Sequence, residues 1–189
     1  MKKTFWCLIV LLVFSCKQVE VTDVYNEEPV TAEYPCVSDA LNCLDSINVQ
    51  GGSVNFYSSF SLDSINLVSG AIIVVHGATR NGDDYFNRMI STIKSVGLED
   101  SIMVIAPQFI TEYEKVHDKD WYWNTTSWKW GNQSYMNGSQ TSISSFEVID
   151  YLLSRAADIN KFPNLSKVLI TGHSSGSAFT HTFASTKSN

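Results

Sequence analysis

The sequence GHSSG at residues 172–176 constrains the fold of this chain more than any other segment. An apolar run at residues 167–171 precedes it, and residues 177–181 favour a helix. Because glycine has no Cβ atom, glycines two positions before and two positions after Ser174 let a strand and a helix approach each other closely. The pattern therefore predicts a strand, a sharp turn that carries Ser174, and a helix.

Buried strands and amphipathic helices alternate in the preceding part of the chain. The apolar runs that end at Val75 and Ala106 are typical of strands covered on both faces, as in parallel sheets. Asp83 and Asp84 favour a helix start, and the spacing of Ser144 and Glu147 is that of a capping box. The predicted elements are strands at 53–60, 70–77, 102–106 and 167–171 and helices near 83–97 and 144–156. This order predicts an α/β domain over residues 51–189, with a mostly parallel sheet and flanking helices.

The turn at Ser174 resembles the nucleophile elbow of the α/β-hydrolases, in which G-x-S-x-G joins a strand to a helix. The segments HGATRN at 76–81, DYF at 84–86 and APQF at 106–109 narrow the resemblance to secreted, esterase- and depolymerase-like serine hydrolases. The resemblance runs from about residue 53 to residue 189. It implies a partial α/β-hydrolase fold that lacks its C-terminal strands.

The resemblance also implies a chemistry for this site. Ser174 would attack an ester carbonyl and form an acyl-enzyme, as in a carboxylesterase, and a peptidase is the nearest enzymatic alternative. The oxyanion would be bound by the backbone N–H groups of Ser175 and Ala78, with Thr79 as the alternative to Ala78. A structural role near the site is implied for His76, Gly77, Gly172 and Gly176. No metal and no organic cofactor is implied.

The general base that Ser174 would need is not evident in the sequence. In this family an acid and then a histidine follow the serine, whereas this chain has only His181 and no Asp or Glu beyond Ser174. Two helical turns place His181 about 10 Å from the turn. His173 is expected to project away from the reacting face, and His117 lies in a long loop. We therefore expect no catalytic histidine or acid in residues 1–189.

Three interpretations of this gap remain open. The sequence is the N-terminal portion of a longer protein, truncated after the elbow, or it is a remnant, or another chain completes it; we expect the first. The family places a later strand beside residues 167–171. Without that strand, the apolar residues 168–170 would form an exposed edge with unpaired backbone groups.

The N-terminus has the pattern of an export signal. Lys2 and Lys3 precede an apolar run at residues 5–14, which is too short to span a bilayer as a helix. The sequence then resembles a bacterial lipoprotein signal, in which the cysteine after a small residue is lipidated. This assigns residues 1–15 to the signal, Cys16 to the lipid, and the protein to the bacterial cell envelope, periplasmic or surface-exposed. Ordinary secretion and an uncleaved anchor are the alternatives.

Residues 16–50 are interpreted as an acidic tether that contains a small disulfide loop. Cys36 and Cys43 are the cysteines left after Cys7, in the signal, and Cys16 are assigned. In an oxidising compartment a disulfide between them is the preferred interpretation. A metal site is not expected, because no histidine or further cysteine lies nearby.

The charge of the chain argues against one class of partner. The formal net charge is −6, and no basic cluster lies beyond the N-terminal lysines. Nucleic acids need a positive face on the protein, so they are not expected as partners. The expected partners are a small-molecule or polymeric ester substrate, and a membrane through the N-terminal lipid.

A loop rich in tryptophan has two interpretations. Four of the five tryptophans, Trp121, Trp123, Trp128 and Trp130, lie within ten residues. They contact the substrate, or they pack the loop onto the domain as a small core. The first interpretation also supports a competing function, in which a non-catalytic lipoprotein binds glycan or polymer through this loop.

Overall fold

The structure, a computed structural model, describes residues 34–187, so the predicted signal and the predicted lipidation at Cys16 lie outside the described residues. The strands are β1 (Leu44–Val49), β2 (Gly52–Ser58), β3 (Gly70–Val75), β4 (Ile102–Pro107) and β5 (Lys167–Gly172). The helices are α1 (Gly82–Ser95), α2 (Ser145–Ala156) and α3 (Ser175–Lys187). Within this described part, none of the helices combines the length and the hydropathy that a transmembrane span requires.

The five strands form one sheet in the order β1-β2-β4-β3-β5. β3 is parallel to β4 and to β5, whereas β2 is antiparallel to β1 and to β4. Four strands therefore run in one direction and β2 runs in the other. The expectation of an α/β domain with a mostly parallel sheet is confirmed, and β2 makes that sheet a mixed one.

A hairpin explains the direction of β2. Gln50 and Gly51 form a two-residue turn between β1 and β2, and both have positive φ, at 51° and 84°. Such turns match the twist of two antiparallel strands. β1 buries Ile47 and Val49. Residues 44–49, which the sequence analysis placed in the tether, thus belong to the sheet.

The helices lie on opposite faces of the sheet. α1 packs Phe86 and Ile90 into a cluster with Val74 and Val104. α2 and α3 contribute to a second cluster that contains Ile73 and Val75. Successive side chains of a strand point to opposite faces of the sheet. Ile73 of β3 therefore packs in the cluster with α2 and α3, and Val74 packs in the cluster with α1.

The capping box predicted for α2 is present. The Ser144 hydroxyl accepts a hydrogen bond from the Phe146 N–H at 3.0 Å, and the Glu147 carboxylate accepts one from the Ser144 N–H at 2.6 Å. Both groups satisfy backbone donors that a helix start leaves without partners. Local sequence therefore fixes where α2 begins.

β5 lies at the edge of the sheet. It pairs with β3 on one side, and no second strand among residues 34–187 pairs with its other side. Val168 and Leu169 are 38% and 57% exposed. The described residues thus show the exposed apolar edge that the sequence analysis expected.

A disulfide joins Cys36 to Cys43, with their Cα atoms 5.6 Å apart. Both cysteines are buried in the cluster beneath α1, together with Tyr57 and Ala106. The disulfide loop is therefore part of the domain core rather than of a free tether.

Candidate active site

Ser174 occupies the turn between β5 and α3 and has a φ of 56°. This left-handed conformation is uncommon for residues other than glycine and stores backbone strain, which persists only where surrounding structure imposes it. The Gly176 N–H donates to the His173 carbonyl at 3.0 Å, so the chain reverses within this one turn. The side chain of Ser174 is exposed at the resulting corner.

The two glycines of the motif are required by backbone contacts. A Cβ atom on Gly172 would lie 2.5 Å from the carbonyl carbon of Gly176. A Cβ atom on Gly176 would lie 2.2 Å from the Val75 carbonyl oxygen and 2.7 Å from that of His76. Because such distances are far below van der Waals contact, α3 can approach β5 and the end of β3 only with glycine at both positions.

The loop that follows β3 borders this turn. A Cβ atom on Gly77 would lie 3.8 Å from the His173 carbonyl oxygen and 2.8 Å from the Tyr85 hydroxyl. Within residues 34–187, the backbone N–H groups of Ala78 and Ser175 donate no hydrogen bond. Two unused donors therefore flank the elbow, one in each of the segments for which the sequence resemblance implies oxyanion binding.

An ion pair holds the loop in place. Arg80 has a φ of 56°, and its guanidinium binds the Glu114 carboxylate through two hydrogen bonds of 3.0 and 2.9 Å. Burial raises the pKa of the Glu114 carboxyl, but hydrogen bonds from Arg80 and Thr111 outweigh it, and the pKa falls below its usual value. Glu114 is therefore ionised. Its charge attracts the guanidinium of Arg80, and the two hydrogen bonds fix the orientation of that group.

Gln108 makes a second connection to this loop. Its side-chain oxygen accepts a hydrogen bond from the Gly82 N–H at 2.9 Å, and its amide donates to the Arg80 carbonyl. Gln108 directly follows β4, so it ties the loop after β3 to the neighbouring strand. The loop conformation is thus set by side chains from outside the loop.

His76 is a buried structural residue. Its Nε2 accepts a hydrogen bond from the Phe109 N–H at 3.0 Å, so the ring proton lies on Nδ1, which donates to the Gly77 carbonyl at 3.0 Å. The ring packs against Trp128, with centroids 4.6 Å apart. Burial is the main cause that lowers the pKa of His76 to about 4. A neutral His76 therefore joins the ends of β3 and β4.

We expect His76 to make the domain sensitive to mild acid. Its folded pKa of about 4 lies below the ordinary value of 6.5, so the unfolded chain binds the proton more strongly. The stability that depends on neutral His76 is complete above pH 6.5 and is lost as the pH falls to about 4. The loss amounts to roughly 3 kcal/mol.

Urea unfolding at several pH values between 4 and 7.5 measures this effect. His76→Gln keeps a donor and an acceptor but does not titrate, and it should unfold with a flatter pH dependence than the native protein. Equal pH dependence in the two proteins would show that His76 does not carry the effect.

Most of the tryptophan-rich loop is core. Trp121, Trp123 and Trp128 are each 1% exposed, and each indole N–H donates to a backbone carbonyl. Trp130 is 52% exposed, with the Lys129 ammonium 5.2 Å from its ring centre. Of the four rings proposed to contact a substrate, Trp130 is the one that the folded domain exposes.

The remaining histidines are not placed as a base for Ser174. His173 Nδ1 lies 3.5 Å from the Tyr85 hydroxyl, and His117 and His181 are exposed on the loop and on α3. Among the described residues, none of them hydrogen-bonds to Ser174, and no cluster of three metal-binding side chains is found. The described site thus comprises an exposed serine with positive φ and two backbone N–H groups that donate no hydrogen bond.

A cavity opens between α1 and the elbow. It has a volume of about 440 Å³ and is lined by Asn81, Tyr85, Arg88 and His173. No local sequence pattern singles out Tyr85, Arg88, Gln108 or Glu114 as individual residues of the site. Tyr85 and Gln108 lie in segments that carry part of the family resemblance. The contacts of these two side chains to residues far away in the sequence cannot be predicted from that resemblance.

Comparisons with known proteins leave the family of this chain open. No protein-family model matches the sequence, and no curated protein matches it. Among solved structures, it is similar to poly(aspartic acid) hydrolase-1 from Sphingomonas sp. KT-1, with a TM-score of 0.47 and 21% sequence identity. The match covers 74% of this chain and 50% of that one, so this chain spans half the length of its neighbour. At this distance the likeness assigns no activity.

Proposed function

We propose that this protein is a serine hydrolase that acts on an ester, as a carboxylesterase does, with Ser174 as the nucleophile. The observation that carries the proposal is the conformation of Ser174, which has a φ of 56° and lies between two glycines whose close backbone contacts leave no room for a Cβ atom. A strained serine at an exposed strand-to-helix corner is the arrangement of a nucleophile elbow. Strain of this kind clusters at functional sites.

The neighbouring groups support acyl transfer. Attack by the Ser174 hydroxyl on an ester carbonyl creates a tetrahedral oxyanion, which needs donors that are already in position. The free N–H groups of Ala78 and Ser175 are the proposed donors. The Arg80–Glu114 ion pair and Gln108 hold the first of them without rearrangement.

Efficient turnover also requires a general base. A serine hydroxyl is a weak nucleophile unless a base takes its proton and an acid orients that base. Since none of the histidines in residues 34–187 hydrogen-bonds to Ser174, the proposal requires a base from outside the described residues. A nucleophile with an oxyanion hole retains some catalysis without one.

Covalent labelling tests the proposal. A fluorophosphonate probe forms a bond between phosphorus and an activated serine oxygen and releases fluoride and the hydroxyl proton. We expect the protein isolated as its cell produces it to gain one adduct, and peptide mass spectrometry to place it on Ser174. An adduct on another serine, or none at a dose that labels a known esterase, contradicts the proposal.

A second function rests on the aromatic surface. Trp130 is exposed, and the rings of Tyr122 and Tyr135 stack with centroids 5.7 Å apart. Such faces can hold a sugar ring or a polymer chain, so the protein would bind glycan or polymer without catalysis. In that case Trp130→Ala would abolish retention on an insoluble polysaccharide. Ser174→Ala would be retained as well as the native protein, and neither of these two proteins would hydrolyse esters.

We further propose that Cys16, which lies outside the described residues, carries a lipid that anchors the protein in the bacterial envelope. Replacement by Cys16→Ser removes the thiol that would be acylated, and acyl chains supply the membrane affinity of such anchors. We expect the variant to move from the membrane fraction to the soluble fraction and to lose incorporation of labelled palmitate. An unchanged membrane fraction in the variant contradicts a lipid at this position.

A further inference from the structure

The cavity beside the elbow carries a positive charge without a partner. Arg88 lines it from the middle of α1, and within residues 34–187 its guanidinium forms no ion pair. The arginines Arg80 and Arg155 are instead bound to Glu114 and Asp63. Arg88 is therefore a cation that is free to bind a ligand.

Polar side chains line the cavity beside this charge. The Tyr85 hydroxyl and the ring of His173 lie 3.5 Å apart in the wall of the cavity. Asn81 also lines the cavity, and its side-chain amide donates to the Asp84 carboxylate at 2.7 Å. Asp84 precedes Arg88 by one helical turn and is the acidic group nearest in sequence. Its Oδ2 accepts the hydrogen bond from Asn81, and within residues 34–187 it forms no ion pair with Arg88.

The cavity adjoins the elbow. His173 precedes Ser174 in sequence, and the Tyr85 hydroxyl lies against Gly77, in the loop of the proposed oxyanion donor. A second cavity of about 200 Å³ shares Tyr85, Arg88 and His173 and adds apolar surface from Val74 and Met89. The combined groove presents a cation with an apolar wall beside it.

From this arrangement we propose that the groove binds the carboxylate of an acyl chain, with Arg88 as its counter-ion. Guanidinium and carboxylate form two parallel charge-assisted hydrogen bonds, which neutral donors do not match in strength. The substrate class is thus an ester whose acyl part ends in a carboxylate, with its methylene groups against Val74 and Met89. This inference rests on the proposed hydrolase function and names its specificity.

Two matched esters test the inference in the protein as the cell produces it. Mono-4-nitrophenyl glutarate carries the carboxylate, and 4-nitrophenyl valerate has the same chain without it. We expect Arg88→Gln to lower kcat/KM for the glutarate ester about tenfold and to leave the valerate ester within about twofold. Lys94→Gln removes one positive charge from the same helix outside the cavity and should leave the ratio of the two rates unchanged.

An equal loss for both esters, no loss, or the same change in Lys94→Gln would overturn the inference. If neither ester is turned over, the proposed function has failed. The inference is then tested by the binding of glutarate, which needs no turnover. Glutarate should then shift the amide resonances of Tyr85 and His173 in the Ser174→Ala protein, but not in Ser174→Ala with Arg88→Gln. No shift, or shifts with inorganic phosphate and none with glutarate, would overturn the carboxylate assignment.

Discussion

Replacing Ser174 by alanine is expected to lower kcat/KM for a 4-nitrophenyl ester by a factor on the order of a thousand or more. In the proposed mechanism the acyl-enzyme forms on the Ser174 hydroxyl, so the substitution removes the covalent step. The fold should be unaffected, because the Ser174 side chain is exposed and makes no hydrogen bond within the described residues. Initial rates at saturating and subsaturating ester concentrations measure the effect.

Ser177→Ala is the matched control for this substitution. It removes a hydroxyl three positions away, from an exposed residue of α3. Its rate should equal that of the native protein, and circular dichroism should show that both variants are folded. A Ser174→Ala protein with native turnover would place the chemistry elsewhere.

Gly176→Ala is expected to destabilise the domain by more than about 3 kcal/mol. Two effects oppose each other at this position. Alanine favours a helix over glycine by about 1 kcal/mol, but the added Cβ atom would lie 2.2 Å from the Val75 carbonyl oxygen. That oxygen belongs to the backbone of β3 and cannot rotate away, so the steric cost exceeds the gain in helix propensity.

Chemical denaturation measures this loss, with Ser177→Ala as the comparison. Ser177→Ala adds no atom and lies in the same helical turn, so its stability should stay within about 0.5 kcal/mol of the native value. A Gly176→Ala protein as stable as Ser177→Ala would show that α3 can move away from β3. The close approach of α3 to the strand end would then not be essential to the fold.

The elements of the central fold could be predicted because each carries its own local signal. The apolar runs of β3 and β4, the capping box of α2 and the glycines around Ser174 all act within a few residues. β1 lacks such a signal, since the polar residues Asp45 and Ser46 precede Ile47 in a short strand. Only its hairpin with β2 shows that it belongs to the sheet.

The tryptophans illustrate a second limit of sequence reasoning. A cluster of large rings in a polar loop fits both a binding surface and a core. Packing decides between them, because Phe109 stacks on Trp128 and lies at a right angle to Trp123. The protein thus buries three rings and leaves Trp130 at the surface.

The sequence by itself determined the alternation of strands and helices and the turn at Ser174, since propensity, capping and glycine sterics are local. Only the tertiary structure decided the environment of that turn. Arg80 and Glu114 are 34 residues apart, and Tyr85 and His173 are 88 apart. Contacts between such distant residues depend on the order and direction of the strands, which no local pattern encodes.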